Sequence, residues 1–246
     1  MKNIILFVSL VWLVAGAPGQ AATFTWTKIS GGNASGSWNS QGNWSGGTLP
    51  TTTNDTVNFN TLGISANSTV TLDGNQSANL LNFSDTNTSS AASWIVNAGS
   101  PSTSTLTLGG TSPVINVTNL ASGQAAVINA VIAGSAGFTK IGAGFLQLNG
   151  ANTYSGGTVI SGGSYISAGN AGAFGTGTVQ VGGPVGDVQT WFNAKANLTL
   201  TNAFQINTIR WIIDGATVNG VAAGSLTING NVLRMEIGRA SCRERV

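Results

Sequence analysis

The chain has 246 residues, with 35 Gly, one Cys and no His, and only 7% of its residues are charged. An ordinary soluble domain carries about 25% charged residues and about 7% Gly. The missing His excludes Ser-His-Asp and Cys-His nucleophilic sites, seven carboxylates leave little for metal or acid–base chemistry, and a mean hydropathy of +0.20 argues against disorder.

At the N-terminus, Lys2 supplies a positive start and Ile4 to Val14 an apolar stretch, and Gly19 and Ala21 are the small residues before a cut after Ala21. Residues 1–21 therefore read as a secretory signal peptide, too short for a comfortable membrane span; an uncleaved anchor helix is the alternative. Nothing later approaches spanning length, so the mature part is not expected to cross a membrane. Residues 22–60 follow as an N-terminal cap or entry region that contains Trp26, Trp38 and Trp44.

From there short runs with period-two apolar spacing alternate with Gly, Asn and Ser turns. They are Thr56–Asn60, Ser68–Asp73, Ser93–Asn97, Ser104–Leu108, Pro113–Thr118, Ala126–Ile132, Phe145–Asn149, Thr158–Ser161, Thr178–Val181, Ala196–Leu200, Ile206–Ile213 and Ser225–Asn229. The predicted fold class is all-β. Strands this short and this frequent allow a sandwich, a barrel or a solenoid. Residues 145–150 (FLQLNG), 178–183 (TVQVGG) and 225–230 (SLTING) share one plan, which favours a parallel β-solenoid over residues 61–235. One coil cannot bury its own inner face, so coils must stack, with strands about 4.8 Å apart. Stacking also accounts for the low charge, because like charges would lie on top of one another, whereas Thr, Ser and Asn can form ladders.

Residues 134–183 read GSAGFTKIGAGFLQLNGANTYSGGTVISGGSYISAGNAGAFGTGTVQVGG. This segment resembles the autotransporter-associated β-strand repeat through Gly137, Lys140, Gly142, Gly144, Leu146, Leu148, Gly150, Asn152, Thr153, Tyr154, Gly156, Gly157, Thr158, Ile160 and Gly163. Phe138 stands where Leu is usual, and Ser164-Tyr165 where Thr-Leu is common. Trp38-Asn39, Asn43-Trp44-Ser45, Pro50 and Asp55 to Phe59 resemble the entry region of such proteins. The resemblance implies a right-handed parallel β-helix, secreted and displayed on the outer-membrane exterior of a bacterium as the passenger of a larger protein. It also implies a C-terminal β-barrel or sorting anchor, which is missing here and expected beyond the fragment.

Residues 236–246, EIGRASCRERV, hold both Glu, the only Cys and three of the five Arg. The string resembles a translated sequencing adapter, which predicts a chain truncated near Met235; a genuine basic tail for an anionic partner is the alternative. Without this tail and Lys2, five basic and five acidic residues remain. A basic face for nucleic acid has no support, and without Cys242 no disulfide scaffold is possible.

The five Asp are scattered along the chain. Asp214 lies near Arg210 and Trp211, and Asp187 follows a Gly-Pro turn; a solvated turn or surface strand is the plain reading of both. Residues 182–187 (GGPVGD) resemble a calcium-binding Gly-rich repeat with its Asp out of place. No catalytic, cofactor-binding or metal residue is therefore assigned. Trp26, Trp38 and Trp44 either close the first coil or stack on sugar rings, and Tyr154 is expected to pack at a corner. The expected function is a non-enzymatic structural or adhesive passenger whose partners are cell-surface glycans or neighbouring cells. A β-helix that binds or cleaves polysaccharide is the alternative.

Overall fold

The structure is a computed structural model that describes residues 20–161, 163–182, 190–195, 197–207, 211–213 and 226–234. Most of the expected signal peptide, Asp187, Arg210, Asp214 and the 236–246 tail lie outside the described residues. What is described is a stack of parallel coils.

Each strand pairs with strands of neighbouring coils, and every strand pairing is parallel. Among the described residues a nine-stranded sheet runs from Thr23–Thr25 through Thr56–Phe59, Leu80–Phe83, Val114–Val117, Phe138–Ile141, Thr158–Ile160, Val179–Val181 and Phe204–Ile206 to Val232–Arg234. An eight-stranded sheet runs from Gly36–Ser37 through Ser68–Thr71, Trp94–Asn97, Ala125–Ile128, Phe145–Leu148, Tyr165–Ala168 and Thr190–Ala194 to Trp211–Ile213. The third face has Gln76–Ala78, Thr105–Leu108 and Val131–Ala133 in one sheet and Leu198–Leu200 with Leu226–Ile228 in another. This is a parallel β-solenoid, as the recurring segment plan favoured, and not a closed barrel.

The alternation decides the core. In Thr56–Phe59 the odd positions Val57 and Phe59 are fully buried, while Thr56 and Asn58 face outward and stay half-buried. Register then carries one inward column up the first sheet: Phe24, Val57, Leu81, Ile115, Lys140, Ile160, Val181 and Ile206. Seven of these eight side chains are apolar, and successive coils hide each other's apolar surface. Outward columns hold hydrogen-bonding side chains instead. Asn82 Nδ2 donates to Asn58 Oδ1 at 2.8 Å and Asn116 Nδ2 to Asn82 Oδ1 at 3.0 Å. On the second sheet Asn129 donates to Asn97 and Asn149 to Asn129, each at 2.7 Å. These are the uncharged ladders that the composition predicted.

Two predicted strands each fall on two different faces. Ala126–Ile132 is two strands on different faces, Ala125–Ile128 and Val131–Ala133, because the amides of Asn129 and Ala130 both turn onto Val96 O. Ile206–Ile213 likewise separates into Phe204–Ile206 and Trp211–Ile213. A run of apolar residues cannot show such a corner, because it keeps its hydrophobicity through the bend. Among the described residues no helix is long and apolar enough to cross a membrane.

Stacked partners are 34 residues apart at Leu80 and Val114 but only 20 apart at Phe138 and Thr158. The short coils depend on close backbone approach at Gly137, Gly156 and Gly177. A Cβ on Gly137 would stand 1.8 Å from Gly157 O, one on Gly156 2.0 Å from Gly137 N, and one on Gly177 2.3 Å from Gly156 O. None of the three sits at positive φ, so the requirement is space rather than conformation. Gly156→Ala should therefore destabilise the fold by about 1–3 kcal/mol, the usual cost of overpacking, as measured by the shift of its urea midpoint at unchanged m-value.

Candidate functional site

The residues with most chemical potential lie in the short coils, around Lys140, Asn152, Tyr154 and Ser164. Strand alternation points Phe138 and Lys140 inward, and Lys140 is fully buried between Ile115 below and Ile160 above. Neither of those neighbouring strands carries a charged residue. The Lys140 ammonium instead donates at 2.7 Å to each of two main-chain carbonyls, Ile141 O and Gly142 O. Ser164 Oγ donates to Gly142 O at 3.2 Å from the following coil. The side chain therefore braces the tight turn that leads from the first sheet to the second.

On the third face the chain forms no strand between 149 and 157, yet the coil contacts continue. Thr153 N donates to Ile132 O at 2.9 Å and Ser155 N to Gly134 O at 3.1 Å. Asn152 clamps both neighbouring coils: its Oδ1 accepts from Ile132 N at 2.7 Å, and its Nδ2 donates to Ala173 O at 2.6 Å. Tyr154, fully buried, packs edge-on to Phe138 at 5.6 Å between ring centroids, and its hydroxyl is 2.6 Å from Thr158 Oγ1. The expectation that Tyr154 packs at a corner holds. Burial raises its phenol above the ordinary range.

The described carboxylates serve the main chain. Asp55 accepts from the amides of Thr51, Thr52 and Ala22. Asp85 Oδ1 accepts from Ile64 N at 2.9 Å and Asn87 N at 2.7 Å, while its Oδ2 is buried without a partner. Hydrogen bonds from the Ser37 hydroxyl, the Ser100 amide and the Thr71 hydroxyl hold the Asp73 carboxyl below the usual range. Among the described residues no three Asp, Glu, Cys or His side chains come together.

Aromatic faces are also occupied. Trp26, Trp38 and Trp44 lie inside the first coil and are at most 3% exposed. Trp44 meets Trp26 at 4.9 Å and Trp38 at 5.1 Å, with Phe59 above. Trp94, distant in sequence, joins them through Phe59 at 5.5 Å. The indoles of Trp26 and Trp44 donate to Ala34 O and Trp38 O, which satisfies two of these polar edges. Buried in this way, the three rings leave no face open for stacking on sugar.

A second aromatic set was not legible as a group in the sequence. Phe145, Tyr165 and Trp191 occupy one outward column of the second sheet. Tyr165 and Trp191 are 4.2 Å apart with planes 8° from parallel, and Phe145 and Tyr165 are 4.5 Å apart. Tyr165 and Trp191 are therefore stacked, whereas Phe145 is tilted by 45° to Tyr165.

With this geometry established, comparison with known proteins places the central coil. Residues 138–164 match the family model of the passenger-associated-transport-repeat. The chain carries a passenger-associated transport repeat. The matched residues run from Phe138 to Ser164 and include the buried lysine, the coil-bridging asparagine and the corner tyrosine. No curated protein and no solved structure gives a significant match. The repeat is one of autotransporter passengers, and passengers of that kind are in general secreted or displayed on the surface.

Two predictions follow from the buried polar pair. Burial pushes the Lys140 ammonium down from 10.5 to about 7, while in the unfolded chain it keeps its ordinary value. Between those values the unfolded chain binds a proton that the folded chain does not, so stability rises with pH across this window. Below it, both states are protonated and the cost of burying the charge is fully present. Equilibrium unfolding from pH 6 to 10 should show a slope of up to about 1.4 kcal/mol per pH unit above neutrality, and Lys140→Met should remove it. Asn152→Ala leaves Ile132 N and Ala173 O without partners, and chemical denaturation should show a loss of about 2–6 kcal/mol, at about 1–3 kcal/mol for each orphaned group.

Proposed function

We propose that the chain is a non-enzymatic passenger segment that acts as a stiff, nearly uncharged rod with a structural or adhesive role on the outside of a bacterial cell. The observation that carries this reading is that the described groups with the most chemical potential are committed to the rod itself. Asp55 and Asp85 hold amides, Lys140 holds carbonyls, Tyr154 meets Thr158, and the aromatic rings stack on one another. Side chains spent in this way rigidify the stack, which suits a spacer that carries a binding surface away from a membrane.

Partners in this reading are glycans or proteins of neighbouring cells, and outward Asn and Thr columns without charge allow close contact with either. Polysaccharide binding or cleavage is the competing reading. The discriminating experiment exposes the purified chain to a glycan array and to a panel of soluble polysaccharides with a reducing-sugar readout. No release of reducing ends is expected from any polysaccharide. Release that disappears on substituting Asp55, Asp73 or Asp85 without loss of fold would overturn the structural reading.

A further inference from the structure

Strand sequences in this chain are interchangeable to an unusual degree. The three segments that share one plan land on three different faces: Phe145–Leu148 in the second sheet, Val179–Val181 in the first and Leu226–Ile228 on the third. Their alternating Val, Leu and Ile would fill any inward column. A parallel pair that slips by two residues keeps every apolar side chain inside, so the columns of Val, Leu and Ile discriminate poorly between registers. Something other than the apolar pattern must do so.

One side chain has this property, because it is buried and bonded across two coil boundaries. Lys140, also buried, donates to Ile141 O and Gly142 O of its own coil and is indifferent to register. Asn152 uses its acceptor on the preceding coil and its donor on the following one, so it reads two neighbours at once. A two-residue slip would leave Asn152 with its amide buried and unpaired, at a cost that the apolar columns do not impose. It would also move the Ser164 hydroxyl away from Gly142 O of the preceding coil. We propose that Asn152 is a register key of the solenoid: it selects one alignment of successive coils among several that the apolar columns would accept. This is the role best attested for buried polar groups elsewhere, where specificity is gained without a gain in stability.

Disulfide trapping in the full chain tests the proposal, in a Cys242→Ser background so that introduced thiols are the only ones. Thr139 and Val159 are native partners on the outer face. Thr139→Cys with Val159→Cys therefore reports the native register at a separation of about 4.8 Å. Thr139→Cys with Ser161→Cys reports a two-residue slip, since in the native register those positions lie about 8 Å apart, beyond the reach of a disulfide. The chain is unfolded, refolded under reducing conditions and then oxidised, and the linked peptides are quantified by mass spectrometry.

With Asn152 intact, only the native pair should close. With Asn152→Leu, closure of the slipped pair should rise at least about tenfold, the change that a loss of about 1.4 kcal/mol of discrimination produces. Exclusive closure of the native pair in that variant overturns the proposal and leaves Asn152 as a local brace. Should Asn152→Leu close neither pair, Asn152→Ser is read instead: slipped closure supports the role as a key, and any other result overturns it.

Discussion

Everything in this molecule depends on the main-chain ladder between one coil and the next. A single coil has a row of apolar side chains pointing into a space that it cannot fill, and two edges of unpaired amides and carbonyls. Stacking resolves both needs with the same contact: the ladder pairs the backbone while each coil covers the apolar faces of its neighbours. A coil is therefore stable only within the stack. The scarcity of charge follows from the same constraint, because any outward residue lies about 4.8 Å from its counterparts above and below. Asparagine tolerates that spacing where lysine or aspartate would not, and the columns Asn58–Asn82–Asn116 and Asn97–Asn129–Asn149 use it.

The repeat adds a second solution to the third face. Flanking coils close this face with a strand, at Val131–Ala133 and again at Leu198–Leu200. The repeat closes it with side chains: Asn152 bridges upward and downward, and Asn202 takes over in a later coil by donating towards Phe174 O, Gly175 O and Gly177 O. That economy shortens the coil to 20 residues between Phe138 and Thr158, and it requires Gly137, Gly156 and Gly177 where backbones meet. Lys140 instead braces the opposite turn from within its own coil. The motif residues that look most like a chemical site are, in the folded chain, the parts that replace hydrogen bonds a strand would have made.

Fold class was legible because period-two alternation is a local property: Val57 with Phe59, or Leu146 with Leu148, announce an inward face in any parallel or antiparallel sheet. The Asn ladders were legible as composition, and Tyr154 as a corner residue. Corners were harder to see. Ala126–Ile132 reads as one strand because hydrophobicity continues through Asn129 and Ala130, while the turn is made by two amides sharing Val96 O, a residue more than 30 positions earlier. Face assignment was hidden for the same reason, since FLQLNG, TVQVGG and SLTING have equal claims on every sheet.

The sequence by itself therefore determined that this chain is all-β, that its coils must stack, that its surface carries almost no charge, and which segment holds the repeat. Those properties rest on side-chain alternation, on composition and on a motif, all of which are linear. Only the tertiary structure decided which strand lies on which face, that Trp94 joins Trp26, Trp38 and Trp44 around Phe59, that Phe145, Tyr165 and Trp191 form one column, and that Lys140 is buried with its ammonium on two carbonyls. The physical reason is that each of these depends on which residue lies one coil away, 20 to 34 positions along the chain, and that distance is set by how the corners close.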